Sequence, residues 1–279
     1  MNKIIKYFAI ILVTLLVVTY LYFENNTLEI SKYKIKSKKT IELVDFKIAQ
    51  ISDYHNSNSK SLKKSIIKSL NKEKPNIIVI TGDLVDSRFT NIDVSIDLIT
   101  EIKDIAPIYY VSGNHESRIG SDYDILKRKL LDNNVIIMED KIEQINFNGA
   151  ILNLVGISDP ALEHKSYLDD KEIVAGVLKE LKYDRNSFTI LLSHRPELYE
   201  LYTEYEYDLV LSGHAHGGQI RIPFIGGIVA PNQWFLPKYD GGLYEEGTTK
   251  MIVSRGIGNS ILPFRINNNP ELVYITITK

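Results

Sequence analysis

The hydrophobic pattern divides the chain into an apolar head, an alternating stretch and a long series of strand, loop and helix units. Residues 7–23 carry no charge. That length lies at the short edge of what spans a bilayer, and the missing polar face argues against a helix buried in a soluble domain. It predicts an N-terminal membrane anchor over residues 1–23. Residues 24–42 read as a basic linker passing into an edge strand, because apolar and polar residues alternate over 29–36.

Past residue 43 the period changes repeatedly. Val44, Phe46, Ile48 and Ile51 suit a strand over 43–51. Leu62, Ile66, Ile67 and Leu70 share one helical face, which Pro75 closes. Residues 76–81 are almost continuously apolar, as a strand covered on both faces requires. Helical spacing returns over 92–105 and 123–131, with strands at 107–111 and 135–138. Asn148-Gly149 marks a hairpin between 142–147 and 151–155. Helices follow at 173–181 and 197–205, and strands at 187–192, 208–211, 250–254 and 271–278. Polar residues of metal-ligand type sit at the strand exits, which predicts a layered α/β fold with a site at the carboxyl ends of strands. The glycine fingerprint of a dinucleotide-binding fold is missing after the first strand. Two mixed sheets face to face, flanked by helices, fit best, with residues 43–279 as the folded domain.

Composition narrows the chemistry. With 279 residues and 44% hydrophobic content, the chain can bury a core large enough to hold a preorganised site. A net charge of -2 gives no general pull toward long nucleic acid. There is no cysteine, so any metal must take nitrogen and oxygen ligands. Lys3 and Lys6 precede the apolar run and predict a single-pass anchor with the domain on the extracytoplasmic side. Lys32, Lys34, Lys36, Lys38 and Lys39 oppose that orientation. Tyr20 to Phe23 is bulky throughout, so an uncleaved anchor is favoured over a removed signal peptide.

The chain has six histidines: His55, His115, His164, His194, His214 and His216. All but His164 follow a predicted buried strand, beside Asp, Asn, Ser or Gly. Collected, the candidates are Asp53, His55, Asp83, Asn114, His115, His194, His214 and His216. That set is too large for one tetrahedral ion and suits two ions sharing a ligand. A sulfur-free shell rich in imidazole favours Mn, Fe or Zn over Ca or Mg. Two such ions are a known clamp for in-line displacement at phosphorus.

The motifs Asp53-Tyr54-His55, Gly82-Asp83-Leu84-Val85-Asp86, Gly113-Asn114-His115-Glu116, Ser193-His194 and Gly213-His214-Ala215-His216 together resemble the calcineurin-like metallophosphoesterase superfamily. The anchor and the stretch from Gly213 to Pro223 resemble its bacterial membrane-associated branch. The resemblance implies a four-layer α/β/β/α sandwich and two transition-metal ions. It implies that Asp53, His55 and His216 hold the first ion, that Asp83 bridges, and that Asn114, His194 and His214 hold the second. It casts His115 as the general acid that protonates the leaving oxygen, and Asp86 as the carboxylate that orients His115. For Asp86 the alternative is a helix cap. Arg195 and Arg255 are candidate phosphate ligands, with ordinary ion pairing as the alternative. Tyr54, where leucine is common in the family, either lines the cleft or packs. Glu116 stands where aspartate is frequent. The irregular loop with Asp159, Pro160, His164 and Tyr167 is a candidate substrate cap, and 226–236 a candidate substrate wall or membrane-facing lip.

The expected reaction is hydrolysis of a phosphoester or pyrophosphate bond. The anchor points to a small phosphorylated or lipid-linked substrate from the membrane or cell envelope. The alternatives are a nucleotide or nucleic-acid phosphodiesterase, and a membrane-tethered metal-binding module without turnover.

Overall fold

In the computed structural model, which describes residues 3–36, 39, 41–163, 168–259 and 262–279, strands supply the two inner layers and helices the two outer ones. Lys38, His164 and Tyr167 lie outside those residues. The first sheet contains β1 (Glu29–Lys36), β2 (Lys47–Ile51), β3 (Ile77–Thr81), β4 (Ile108–Val111), β5 (Ile136–Ile137) and β16 (Glu271–Thr278). Their spatial order is β1-β16-β2-β3-β4-β5, and only the β16–β2 pair is antiparallel. The second sheet contains β6 (Lys141–Phe147), β7 (Ala150–Gly156), β8 (Phe188–Leu192), β9 (Leu209–Ser212), β14 (Gly242–Glu246) and β15 (Thr249–Val253). It runs β14-β15-β9-β8-β7-β6, parallel except at its two outer pairs.

The apolar runs of β3, β8 and β9 are buried along their whole length, because each has a neighbouring layer on both faces. Phe46, Ile48, Val79 and Val111 of the first sheet meet Leu154, Ile190, Leu211 and Ile252 of the second. Outside the first sheet lie α2 (Lys60–Glu73), α3 (Ile92–Ile102) and α5 (Asp122–Asp132), which bury Leu62, Ile66, Leu98 and Leu126 against it. Outside the second lie α6 (Asp170–Glu180) and α7 (Tyr199–Glu204), with Val174, Leu178, Tyr199 and Tyr202 packed inward. The predicted arrangement of two mixed sheets flanked by helices is the one found.

Several boundaries differ from expectation. The strand predicted over 43–51 starts at Lys47, after a 3-10 turn at Ile41–Leu43. Leu43 and Phe46 are buried nonetheless, which is why they read as strand. The strand predicted over 135–138 shrinks to Ile136–Ile137. Helix α1 (Lys3–Asn26) runs about one turn past the predicted anchor, and its most apolar 18 residues have a mean hydropathy of 2.4. It is long and apolar enough to cross a membrane. Within the stretch 24–42, residues 29–36 form the expected edge strand, β1, which pairs with β16 along its full length.

The topology brings distant loops together. β2, β3 and β4 are mutually parallel, as are β8 and β9, so their carboxyl ends collect at one rim. Gln50, near the end of β2, ties the two sheets there: its side-chain amide donates to Ser212 O at 2.9 Å and Thr81 Oγ1 at 3.0 Å.

Candidate metal centre

Five of the donors leave their strands through an unusual backbone conformation. Asp53, His55, Asp83, His214 and His216 all have positive φ, between 47° and 67°. A left-handed turn costs a non-glycine residue about 1–2 kcal/mol. Such cost persists only where the surrounding structure fixes it, and that clusters at functional sites. The neighbouring glycines make the close approach possible. A Cβ at Gly213 would land on Ser52 Oγ and Asp53 Oδ2. Gly82, at φ +86°, lies under the His194 ring.

The resulting cluster is centred on Asp83. Its Oδ2 lies 3.3 Å from His194 Nε2, 3.7 Å from His55 Nε2 and 4.0 Å from His115 Nε2. Asp53 Oδ1 lies 3.2 Å from His216 Nε2. Among the described residues the donors fall into three overlapping groups: Asp53, His55, Asp83 and His216; Asp83, His194 and His214; and His55, Asp86 and His115, with Asp83 the carboxylate shared by the first two. All are buried.

The donor set fits metal ions for reasons visible in its own geometry. His55 Nε2 and His216 Nε2 face each other at 3.2 Å, and His214 Nδ1 faces His194 Nε2 at 3.1 Å. Burial lowers the His55 pKa to about 3 and drives His214 and His216 well below the usual imidazole range. Neutral imidazole is the ligating form. His194 Nδ1 lies 2.7 Å from Thr81 O, which places a proton there and leaves Nε2 as the inward-facing nitrogen. Burial lowers His194 too, but Asp83 outweighs it and raises the pKa to about 10, so a cation binding here displaces a proton. With its amide nitrogen turned to His214 Nδ1, at 2.8 Å, Asn114 donates there, and its oxygen accepts from the Arg118 guanidinium at 3.1 Å.

Backbone and side-chain partners hold the carboxylates still. Asp53 accepts from the His214 N–H at 3.1 Å and from Ser52 Oγ at 2.6 Å. Asp83 Oδ1 accepts the His115 N–H at 2.8 Å. Glu116, fully buried, accepts the N–H groups of Gly113, Asp83 and Val85, and so binds the β3 exit to the β4 exit. In the sequence it reads only as a variant of a motif position. Its function depends on three backbone N–H groups that no residue pattern announces.

His115 sits beside the cluster in α4 (Asn114–Ser117). Its Nδ1 accepts the Ser87 N–H at 3.0 Å, which leaves the proton of the neutral ring on Nε2. Asp86 lies 3.5 Å from Nδ1 and makes its short contacts elsewhere. It accepts the Arg88 N–H at 2.8 Å and holds the Arg88 guanidinium through both oxygens. The ring is therefore oriented by the Ser87 N–H, which donates to Nδ1, and not by an Nδ1–H donated to Asp86 as expected; the helix-cap alternative falls to Asn91, which caps α3.

The expected substrate ligands fare differently. Arg195 lines the cleft, but its guanidinium is committed to Asp159, at 2.5 Å and 2.8 Å, with Glu197 and Asp170 beyond. Arg255 is bound by Glu29 at 2.7 Å and Glu271 at 3.0 Å, away from the cleft. Tyr54 packs in the core between the first sheet and its helices and donates to Ser57 O. Arg255 and Tyr54 are satisfied within the fold, whereas Arg195, ion-paired as it is, lines the cleft beside Asn114, His115 and His214. Asp159 of the candidate cap loop is the buried anchor for Arg195.

The cleft floor is a cavity of about 100 Å³ lined by Asp83, Asn114, His115, His214, His216 and the unforeseen Arg118, with Pro231 and Asn232 as one wall. Arg118 lies just beyond the recognisable motif and is exposed. Its guanidinium reaches the Asn114 amide at 3.1 Å.

Comparison with known proteins gives the same picture. The sequence profile of the calcineurin-like phosphoesterases matches residues 46–218. The chain is 31% identical to the metallophosphoesterase YkuE of Bacillus subtilis, over 92% of this chain and 87% of that protein. It is 27% identical to the phosphodiesterase YaeI of Escherichia coli, over 83% and 82% of the two chains. In fold it is similar to TT1561 of Thermus thermophilus, with a TM-score of 0.53 at 13% identity, covering 77% of this chain and 90% of that one.

Proposed function

This chain belongs to the calcineurin-like phosphoesterase family and is a metal-dependent phosphoesterase, and on that premise we propose that it is a membrane-anchored hydrolase of a lipid or cell-envelope phosphoester. The observation that carries the reading is the single carboxylate, Asp83, shared by two histidine-containing groups. Asp53, His55 and His216 would hold one ion, Asn114, His194 and His214 the other, and Asp83 both. When bound, the pair would supply Lewis acidity that makes water a nucleophile near neutral pH and offsets charge on the phosphoryl oxygens. Mn, Fe and Zn all suit these ligands.

The remaining residues act on the phosphoryl group. His115 presents Nε2–H to the leaving oxygen; burial lowers its pKa, with the carboxylates of Asp83 and Asp86 opposing that shift in part, so the neutral ring is the donor. Arg118 offers guanidinium N–H groups to the non-bridging oxygens at the cleft mouth. Asp86 sets the loop from which the Ser87 N–H fixes the His115 ring. YaeI carries the name phosphodiesterase, which places diesters first among the bonds to be tried.

The anchor reading puts α1 across the membrane with the domain outside. Two of the opposing lysines have partners in the fold: Lys32 pairs with Glu73 and Lys39 with Asp208. They serve the folded domain, which weakens their claim as cytoplasmic lipid contacts. Metal analysis of the full chain, followed by turnover of mono-, di- and pyrophosphates with each metal restored, tests the chemistry. Two ions per chain and faster cleavage of diesters are expected. A metal-loaded protein that cleaves none of these bonds would be a metal-binding module instead. A reporter at the C-terminus tests the side of the membrane.

A further inference from the structure

Residues 221–235 form two small ribbons, β10 (Arg221–Ile222) with β11 (Gly226–Gly227), and β12 (Val229–Ala230) with β13 (Trp234–Phe235). They are seated on the histidine turn by the Ile228 N–H, which donates to Gly218 O at 3.2 Å. Their tips point large apolar side chains at solvent. Phe224 is fully exposed, Trp234 is 82% exposed and Phe235 70%. Ile225, Val229 and Leu236 are exposed as well. Phe224, Trp234 and Leu236 all hold positive φ, at 67°, 57° and 55°. The backbone thus bears strain while these groups face outward. An apolar patch of this kind on an otherwise ordinary surface marks an interaction site.

The position of α1 says what covers it. Tyr20, near the end of the apolar run, donates to Asn267 Oδ1 at 3.0 Å. The Asn267 side-chain amide donates in turn to Arg221 O at 3.2 Å, at the base of the first ribbon. Glu24 accepts the Asn268 N–H and Asn25 accepts the Arg265 N–H, so the adjoining turn of α1 is fastened to the same loop. With a rise of about 1.5 Å per residue, Tyr20 lies only about 5 Å along the axis from Phe23. The ribbons therefore stand where the apolar helix leaves the bilayer. Arg221 and Lys238 flank the patch, and aromatic side chains beside basic ones suit the headgroup boundary. Pro231 and Asn232, at the turn between β12 and β13, also form a wall of the cleft.

We propose that residues 222–236 are a second membrane contact, bedded in the headgroup boundary of the bilayer that α1 spans. This deepens the reading above and rests on its anchor: the cleft then opens onto the lipid surface, and a phosphorylated lipid headgroup reaches it without leaving the membrane.

Trp234 is the only tryptophan in the chain, so the native protein reports on the contact directly. The experiment takes the full chain in phosphatidylcholine vesicles, with or without bromine on the acyl chains near the glycerol. Bromine quenches only at close range. Flotation with the vesicles, blue-shifted Trp234 emission and its loss in brominated lipid are expected. The double variant F224D/I225D should recover that emission and keep its rate on a soluble phosphoester, while losing rate on a vesicle-borne lipid substrate. Flotation with unshifted, unquenched emission overturns the contact and leaves the anchor standing. Blue-shifted emission that bromine does not quench also overturns it, since the patch is then covered by protein, such as a second copy of this chain. Failure to float overturns anchor and contact together. The soluble-substrate rate judges the phosphoesterase chemistry separately.

Discussion

The rim that carries the histidines and the ribbons beside it are both made of residues leaving strands, yet they are built on opposite terms. At the rim, polar groups are buried and aimed at one another. Asp53, Asp83, His194 and Glu116 are almost wholly removed from solvent, and each has backbone partners. In the ribbons, large apolar groups are exposed with little beneath them but two-residue ladders. Left-handed backbone occurs in both regions. In one it converges donors on a point, and in the other it spreads apolar surface over a plane. The contrast separates a place where chemistry happens from a place that decides what the chemistry meets.

The largest effect should come from Asp83→Asn. It leaves the shape and removes the charge shared by the two groups. Several kcal/mol of transition-state stabilisation should go with it, a loss of about 10³-fold in kcat, with metal content falling in the same preparation. A variant that kept both ions and full rate would end the distinction between rim and ribbon.

Next is Arg118→Ala. Loss of one charge-assisted donor at the phosphoryl group should cost about 10²-fold in kcat/KM, with two ions retained by elemental analysis. Arg255→Ala is the partner experiment: it should lower Tm by breaking the pairs with Glu29 and Glu271 while leaving kcat unchanged.

Gly213→Ala should act on the rim through packing. Its Cβ would displace Ser52 and Asp53, an overpacking cost of about 1–3 kcal/mol visible in denaturant titration, with metal affinity lowered as well. The smallest effect is expected from Tyr54→Phe. It removes one hydrogen bond to Ser57 O, worth about 1 kcal/mol in stability, and should not change turnover.

Much of this architecture is legible in the sequence. Runs such as 76–81 and 187–192 are apolar because both faces of their strands are covered, and the polar residues that end them had to lie at the rim. The grouping of Asp53, His55, Asp83, His194, His214 and His216 follows from that topology. Single side chains whose partners are remote are not legible in this way. Arg195 looks free in sequence, and its neutralising Asp159 lies 36 residues away. Arg255 is matched by Glu29, far back along the chain. His115 Nδ1 accepts a backbone N–H where a carboxylate acceptor is expected, because identity alone does not reveal where the main chain turns. The strands of the ribbons, in a stretch that reads as a candidate wall or lip, are illegible for another reason. Strands of two residues are too short to show a period.

Strand β1 emerges directly from the anchor and lies in register with β16, from Glu29 opposite Glu271 to Lys36 opposite Thr278. That pairing links portions of the polypeptide made early and late in synthesis. The sheet bearing Asp53 and Asp83 cannot close its edge until residue 278 has left the ribosome, and such sequence-distant pairing is slow to form. Until β16 arrives, β1 and β2 would each wait with an unpaired edge.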